Sequence, residues 1–234
     1  LLNALYGAAA LITVAHAVKW AFEFRVHAIR SFGTVIHEFD PWFNYRATEY
    51  LANHGWHKFF HWFDYESWYP LGRPVATTIY PGMQITSVFI WKAMGAVMEQ
   101  GMSLNDVCVF VPAWFGVSAT VFLGLFAKEC SGSNAVGGFS AAIMSVVPAH
   151  LMRSVGGGYD NESIAMTAMC MTFYFWVRAL REDPKGTPAG TASTSSIIFG
   201  VLAGLAYIYM VAAWGGFVFV LNLIGMHAGL LAVF

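Results

Sequence analysis

The chain has 234 residues, of which 58% are hydrophobic and only 11% are charged, whereas a soluble domain carries about 25% charged residues. This composition excludes a disordered chain, argues against a soluble globular domain and indicates an integral membrane protein. The net charge of −1 provides no basic field for nucleic acid, and the three widely spaced cysteines indicate packing residues rather than disulfides or a zinc site.

Apolar stretches of about 20 residues, the length that a membrane-spanning helix needs, recur along the chain. We predict an all-α, polytopic membrane protein in which residues 1–24 form the first transmembrane helix and residues 25–105 a long loop with interfacial helices. Residues 106–234 are predicted to hold transmembrane helices 2 to 6, at about 107–127, 134–152, 161–180, 196–214 and 217–234. Because the chain begins and ends inside apolar runs, we expect a fragment of a longer protein.

The long loop contains two predicted helices. Residues 41–54 form the first, since Asp40 suits the N-cap, a proline suits the first turn and Gly55 suits the C-terminal stop. Residues 83–100 form the second, whose polar residues recur at helical spacing and predict an amphipathic helix lying in the membrane interface. If it crossed the bilayer instead, Lys92 would lie near the centre at a cost of about 2.5–3.5 kcal/mol.

Basic residues set the predicted orientation. They are concentrated in the short loops 128–134 and 178–195, and short loops rich in Lys and Arg face the cytoplasm. We therefore expect the loops that carry the acidic motifs to lie on the opposite side of the membrane.

Two short acidic motifs could carry chemistry. The first is Glu38-Phe39-Asp40, and the second is Asp160-Asn161-Glu162, which follows three glycines. Each motif enters a predicted helix, so capping of a helix N-terminus is one interpretation. The other is a shared divalent cation, since Mg²⁺ and Mn²⁺ take oxygen ligands and bridge carboxylates to phosphate. The glycines would then let the backbone approach a bulky anionic ligand.

Two further groups of residues have alternative interpretations. Arg153 is either an interfacial arginine or a charge partner that orients the second motif or binds phosphate. His54, His57 and His61 resemble a ligand cluster, but no acid accompanies them in a metalloprotease pattern. We therefore favour interfacial packing for the three histidines.

Four blocks of the sequence, in the same order, resemble the catalytic subunit of the eukaryotic oligosaccharyltransferase. They are HEFDPWFNYRATEYLANHG, WYPLGRPVATTIYPGMQITSVFIW, RSVGGGYDNESIA and YMVAAWGGFVFVLNLI. The resemblance covers residues from about 20 to 234. It implies the membrane domain of a C-type glycosyltransferase, with a long helical first lumenal loop.

The resemblance also implies roles for individual residues. Asp40, Asp160 and Glu162 correspond to catalytic and metal-binding acids, and Asp40 also corresponds to a contact for the acceptor asparagine. Arg153 corresponds to an arginine that supports the second motif, and Glu38 matches the first position of the first motif as a substrate-binding residue. The implied cofactor is a divalent metal, Mn²⁺ or Mg²⁺.

The implied reaction is metal-dependent, inverting transfer of an oligosaccharide from a dolichyl diphosphate donor to asparagine in Asn-x-Ser/Thr. The implied setting is a multi-pass protein of the endoplasmic reticulum membrane with a lumenal active site. The donor, an acceptor polypeptide and membrane lipids are the expected partners, and the resemblance leaves open whether accessory subunits join them.

The resemblance also implies that a C-terminal lumenal domain is absent from this fragment, which we expect to be inactive alone. The alternatives are another polyprenyl-phosphate-sugar-dependent glycosyltransferase, an ion-coupled transporter and a noncatalytic scaffold subunit.

Overall fold

The computed structural model describes residues 2–98, 101–181 and 193–234. Within these ranges the chain forms eleven helices and one short hairpin. In chain order they are α1 (Leu2–Arg25), α2 (His27–Phe32), α3 (Phe39–Phe60), β1 (Phe63–Asp64), β2 (Arg73–Pro74), α4 (Val75–Thr78), α5 (Gly82–Val97), α6 (Leu104–Ser131), α7 (Asn134–Val146), α8 (Pro148–Met152), α9 (Asn161–Ala179), α10 (Thr194–Ala213) and α11 (Phe217–Val233).

The long helices form a layered bundle. Helix α1 packs on α6 and α7, α6 packs on α7 and α9, and α9 packs on α10. Small residues bring α6 and α7 together, because a Cβ on Gly124 would lie 3.0 Å from the carbonyl oxygen of Gly137. Membrane helices use such residues to let their backbones approach closely.

Two helices, α6 and α10, are each long and apolar enough to cross a bilayer by themselves. Helices α7 and α11 are apolar but shorter, and the six-span arrangement stays a prediction. The segment predicted as one helix over 134–152 is interrupted at Val147, where φ is −60° and ψ is 124°. The cause is Pro148, since a proline disfavours helical backbone in the residue before it.

The region between α1 and α6 packs around its own small core. Helix α3 lies against α4 and α5, and the buried apolar side chains of this core are Ala47, Leu51, Phe59, Val75 and Val88. The predicted stop at Gly55 is a kink, with φ 80° and ψ 175°, beyond which the helix continues to Phe60. This core therefore positions α3, whose first turn carries the first acidic motif.

The polar residues in the first half of α5 face the protein interior, and the interfacial position of 83–100 stays a prediction. Gln84 and Ser87 are fully buried, whereas Phe89 is 72% exposed. The polar residues face inward because they make hydrogen bonds to α3 and to the residue before the second acidic motif. A single sequence shows the spacing of such residues but not their partners.

Candidate functional site

The segment before the second acidic motif is held by backbone contacts at its glycines. The N–H groups of Gly156 and Gly157 donate to the carbonyl oxygens of Arg25 and Val109 at 2.7 and 3.0 Å. A Cβ on Gly157 would also collide with the carbonyl oxygen of Val35. The glycines therefore admit the protein's own backbone, and their approach to a bulky anionic ligand stays a prediction.

The second acidic motif begins α9. Asp160 is its N-cap, and the carboxylate Oδ1 accepts a hydrogen bond from the Asn161 backbone N–H at 2.8 Å. Glu162 follows in the first turn, partly buried, with its carboxyl group close enough to Asp160 and Arg153 to interact with both. The exposed Arg153 makes no hydrogen bond or ion pair within the described part of the chain, so its guanidinium is available to an anion.

The first acidic motif begins α3 two residues earlier than predicted. Glu38, not Asp40, occupies the N-cap position, and its φ of 68° and ψ of 163° belong to a region that residues other than glycine rarely adopt. The N–H of His37 donates to the carbonyl oxygen of Gly157 at 3.2 Å, which ties the entry of α3 to the glycine segment. Asp40 lies exposed in the first turn, where the helix dipole favours a negative charge.

One side chain joins the two acidic motifs. Asn44, one helical turn after Asp40, donates from Nδ2 to Oδ1 of Asp160 at 3.3 Å and to the carbonyl oxygen of Tyr159 at 3.2 Å. Residues four apart on a helix share a face, with their Cβ atoms about 6 Å apart. Both acidic motifs therefore lie at the same end of the helix bundle.

A cation also lies near the first motif. Arg73 donates to the hydroxyl and carbonyl oxygens of Thr78, each at 2.7 Å, and its guanidinium lies 4.3 Å from the ring centre of Phe43 and 4.9 Å from that of Trp68. Burial lowers the pKa of Arg73, and the charge of Asp40 opposes this change. The side chain is thus a fixed positive charge near the carboxylate of Asp40.

The two motifs offer carboxylate oxygens, which are the ligands that a hard divalent cation prefers. Two of the acids, Asp160 and Glu162, are only two residues apart in sequence. However, no group of three His, Cys, Asp or Glu side chains lies close enough to hold a metal within the described residues. The assignment of Asp40, Asp160 and Glu162 as metal ligands therefore stays a prediction.

The three histidines of α3 and its end make local aromatic contacts. The His54 ring stacks on Tyr50 with centroids 4.2 Å apart, and His57 stacks on His61 at 4.7 Å. All three histidines are exposed.

Three residues near the acidic motifs were not predicted from the sequence, namely Asn44, Gln84 and Arg73. The sequence could have indicated Asn44 as a site residue, because Asn44 shares a helix face with Asp40 at a spacing of four residues. Nothing in the local pattern indicates the partners of Gln84 or Arg73, because those partners belong to other segments of the chain.

Comparison of the sequence with known families gives a match over residues 8–234 to the model described as oligosaccharyl transferase STT3, N-terminal. Among relatives, the dolichyl-diphosphooligosaccharide–protein glycosyltransferase subunit STT3 of Saccharomyces cerevisiae is 44% identical over 212 residues, which is 90% of this chain and 28% of the yeast protein. The corresponding subunit stt-3 of Caenorhabditis elegans is 42% identical over 225 residues, covering 95% of this chain and 28% of the worm protein. The chain thus spans less than a third of the length of these relatives.

Solved structures show the same fold. The apo form of the Archaeoglobus fulgidus oligosaccharyltransferase superposes with a TM-score of 0.69 at 22% identity, over 90% of this chain and 24% of the archaeal one. The same archaeal protein in complex with Zn and sulfate gives a TM-score of 0.65 at 23% identity, over 89% and 26% of the two chains. These likenesses confirm the predicted all-α fold class.

Proposed function

The chain belongs to the oligosaccharyl transferase STT3 family, and from this premise we propose that it forms the N-terminal part of an enzyme that glycosylates asparagine side chains. The proposed donor is an oligosaccharide on dolichyl diphosphate, and the proposed acceptor is the asparagine of an Asn-x-Ser/Thr sequon. The observation that carries the proposal is the contact of Asn44 with Asp160, which holds two acidic motifs at one end of the bundle.

The reaction requires activation of a weak nucleophile. The acceptor amide nitrogen forms a bond to the anomeric carbon while the bond from that carbon to the diphosphate oxygen breaks. The diphosphate leaves with the bonding electron pair, and the amide proton is proposed to pass to the carboxylate of Asp40. The amide lone pair is delocalised, so Asp40 is proposed to accept a hydrogen bond from the amide N–H and favour a geometry in which the lone pair is available. Attack opposite the leaving group inverts the anomeric centre.

The remaining residues handle the negative charge of the donor. Asp160 and Glu162, with Asp40, are the proposed holders of Mn²⁺ or Mg²⁺, which when bound supplies positive charge to the leaving diphosphate. Arg153, exposed beside Glu162, is proposed to contact the diphosphate or to keep Glu162 oriented. Glu38 is proposed as a substrate contact at the same helix entry.

The proposed setting follows from the same assignment. The acidic end of the bundle would face the lumen of the endoplasmic reticulum, where the donor lipid and the acceptor polypeptide meet. Parts of the whole protein beyond this chain would complete the site, and accessory subunits are further proposed partners.

The test uses isosteric variants of the full-length protein. Asp40→Asn and Asp160→Asn should each lower the rate of transfer from dolichyl diphosphate oligosaccharide to a sequon peptide by about 100-fold or more, the scale typical of losing a catalytic electrostatic contact. Glu49→Gln removes an exposed acid from the same helix and serves as the matched control. Near-normal transfer by either aspartate variant, or transfer to a lipid-linked sugar in place of the peptide, would refute the proposal.

A further inference from the structure

We propose that Asn44 is a positioning residue that orients the carboxylate of Asp160, and that Gln84 in turn orients Asn44. The inference rests on the proposed function and deepens it, since it assigns residues that hold the second acidic motif in its working geometry. Asn44 is 6% exposed and Gln84 is fully buried. Both are neutral amides placed between α3, α5 and the segment that carries Asp160.

The two carboxylate oxygens of Asp160 differ in their hydrogen-bond partners. Oδ1 accepts two N–H donors, the Asn161 backbone at 2.8 Å and Asn44 Nδ2 at 3.3 Å. Oδ2 has no hydrogen-bond donor among the described residues. A carboxylate that is held through one oxygen presents the other in a fixed direction, and such anchoring partners tune the ligands of metal sites.

The direction of the Asn44 amide follows from its neighbours, since the oxygen of an amide accepts hydrogen bonds while its nitrogen donates them. The carbonyl oxygen of Tyr159 can only accept, so Asn44 Nδ2 faces it and Asp160. Gln84 Nε2 donates to Asn44 Oδ1 at 3.2 Å and favours the same orientation. In the reversed orientation, the Asn44 oxygen would face the carboxylate and repel it.

The residue before Asp160 is also held by α3 and α5. Tyr159 is fully buried, its hydroxyl donates to Ser87 Oγ at 2.7 Å, and it lies 2.9 Å from Thr48 Oγ1. Thr48 lies one turn beyond Asn44 on α3, and Ser87 lies one turn beyond Gln84 on α5. Helices α3 and α5 therefore contact this segment at two successive helical turns. Thr48 and Ser87 hold the Tyr159 hydroxyl, whereas Asn44, bonded to Gln84, contacts the carboxylate of Asp160.

The experiment measures binding of Mn²⁺ to the full-length protein, with free Mn²⁺ followed by electron paramagnetic resonance, alongside the Mn²⁺ concentration that half-saturates transfer. Asn44→Ala should weaken Mn²⁺ binding by about 10- to 100-fold, as expected for loss of an outer partner of a metal ligand. Gln84→Met keeps the buried volume, removes the donor to Asn44 and should weaken binding in the same direction by a smaller factor. It also tests the inference if Asn44→Ala does not fold.

The control is Thr172→Val, which removes a buried hydroxyl whose hydrogen bond is to the Ala168 carbonyl oxygen, within α9. It should leave Mn²⁺ affinity unchanged even if it lowers thermal stability. Folded Asn44→Ala or Gln84→Met protein with wild-type Mn²⁺ affinity would overturn the inference while leaving the proposed function intact. A wild-type protein that shows no peptide glycosylation would instead overturn the proposed function and the inference with it.

Discussion

Single acidic residues in this chain differ in exposure and in their bonding partners. Asp40 and Glu38 are exposed at a helix entry, where water and substrate can reach them. Asp64, by contrast, has a side chain only 2% exposed and is bound by the Arg46 guanidinium at 2.8 and 3.0 Å. The first two acids are available for chemistry, whereas Asp64 fixes α3 to the hairpin that follows it.

Asp64 should make the stability of this region dependent on pH. Burial raises its pKa, but hydrogen bonds from Arg46, Ser67 and the backbone of Glu66 outweigh burial and lower the pKa from 3.8 to about 2. A lowered pKa in the folded state contributes stability that is present above pH 4 and lost as the pH falls toward 2, by about 2 kcal/mol.

Thermal unfolding of Asp64→Asn and of the wild type between pH 5 and pH 2 checks this prediction. The variant should be less stable at pH 5, and the difference should vanish near pH 2. Glu66→Gln, which removes an acid with a 78% exposed side chain that also pairs with Arg46, should change little. A difference that stays constant with pH would show that charge on Asp64 is not the cause.

At the scale of whole helices, close packing of α1 against α6 supports the acidic end. Arg25 at the end of α1 is fully buried and donates to Ser154 Oγ at 2.8 Å and to the Ser145 carbonyl oxygen at 3.1 Å. Gly116 of α6 makes room for it, since a Cβ there would collide with the Arg25 side chain. Arg25 thus ties α1 and α7 to the segment that leads to the second acidic motif.

Gly116→Ala should therefore destabilise the protein by about 2 kcal/mol, because overpacking forces a held side chain to move. Gly204→Ala on α10 is the matched control, since nothing lies within 4 Å of a Cβ at that position. It should be neutral or stabilising by up to about 1 kcal/mol, given the low helix propensity of glycine. Equal unfolding temperatures for the two variants in detergent would contradict the packing argument.

At the scale of the whole molecule, α6 has one end near the first acidic motif and its other end far from it. The side chain of Asn105, at the start of α6, donates to the Thr34 carbonyl oxygen at 2.9 Å, close to the first acidic motif. Cys130, at the other end of α6, is exposed. A helix of 28 residues is about 42 Å long, which is enough to place its ends on opposite sides of a bilayer.

Labelling of cysteines in sealed vesicles with a known orientation tests this separation. A membrane-impermeant maleimide should modify the exposed Cys130 from the cytoplasmic side. Cys108 and Cys170 are buried and should not react. A cysteine introduced as Thr77→Cys, in the exposed region between α1 and α6, should react only after the membrane is permeabilised. Cys130→Ser identifies the native signal, and reaction of both sites from one side would contradict the orientation.

Local sequence patterns were enough to predict which segments are helical and which residues carry groups able to take part in chemistry. Long apolar runs and helix-stop signals depend on neighbours in the chain, so α6, α9 and α10 match their predicted segments closely, as does the N-cap at Asp160. The two acidic motifs were equally visible because their carboxylates stand close together in sequence.

How these pieces meet depends on contacts between distant parts of the chain. The contact between Asn44 and Asp160 joins residues 116 positions apart, and that between Gln84 and Asn44 joins residues 40 apart. The same is true of the glycines before Asp160, which accommodate backbone from α1, α6 and the segment before α3. A local pattern records what a side chain can bond to, whereas the partner it finds depends on the packing of distant helices.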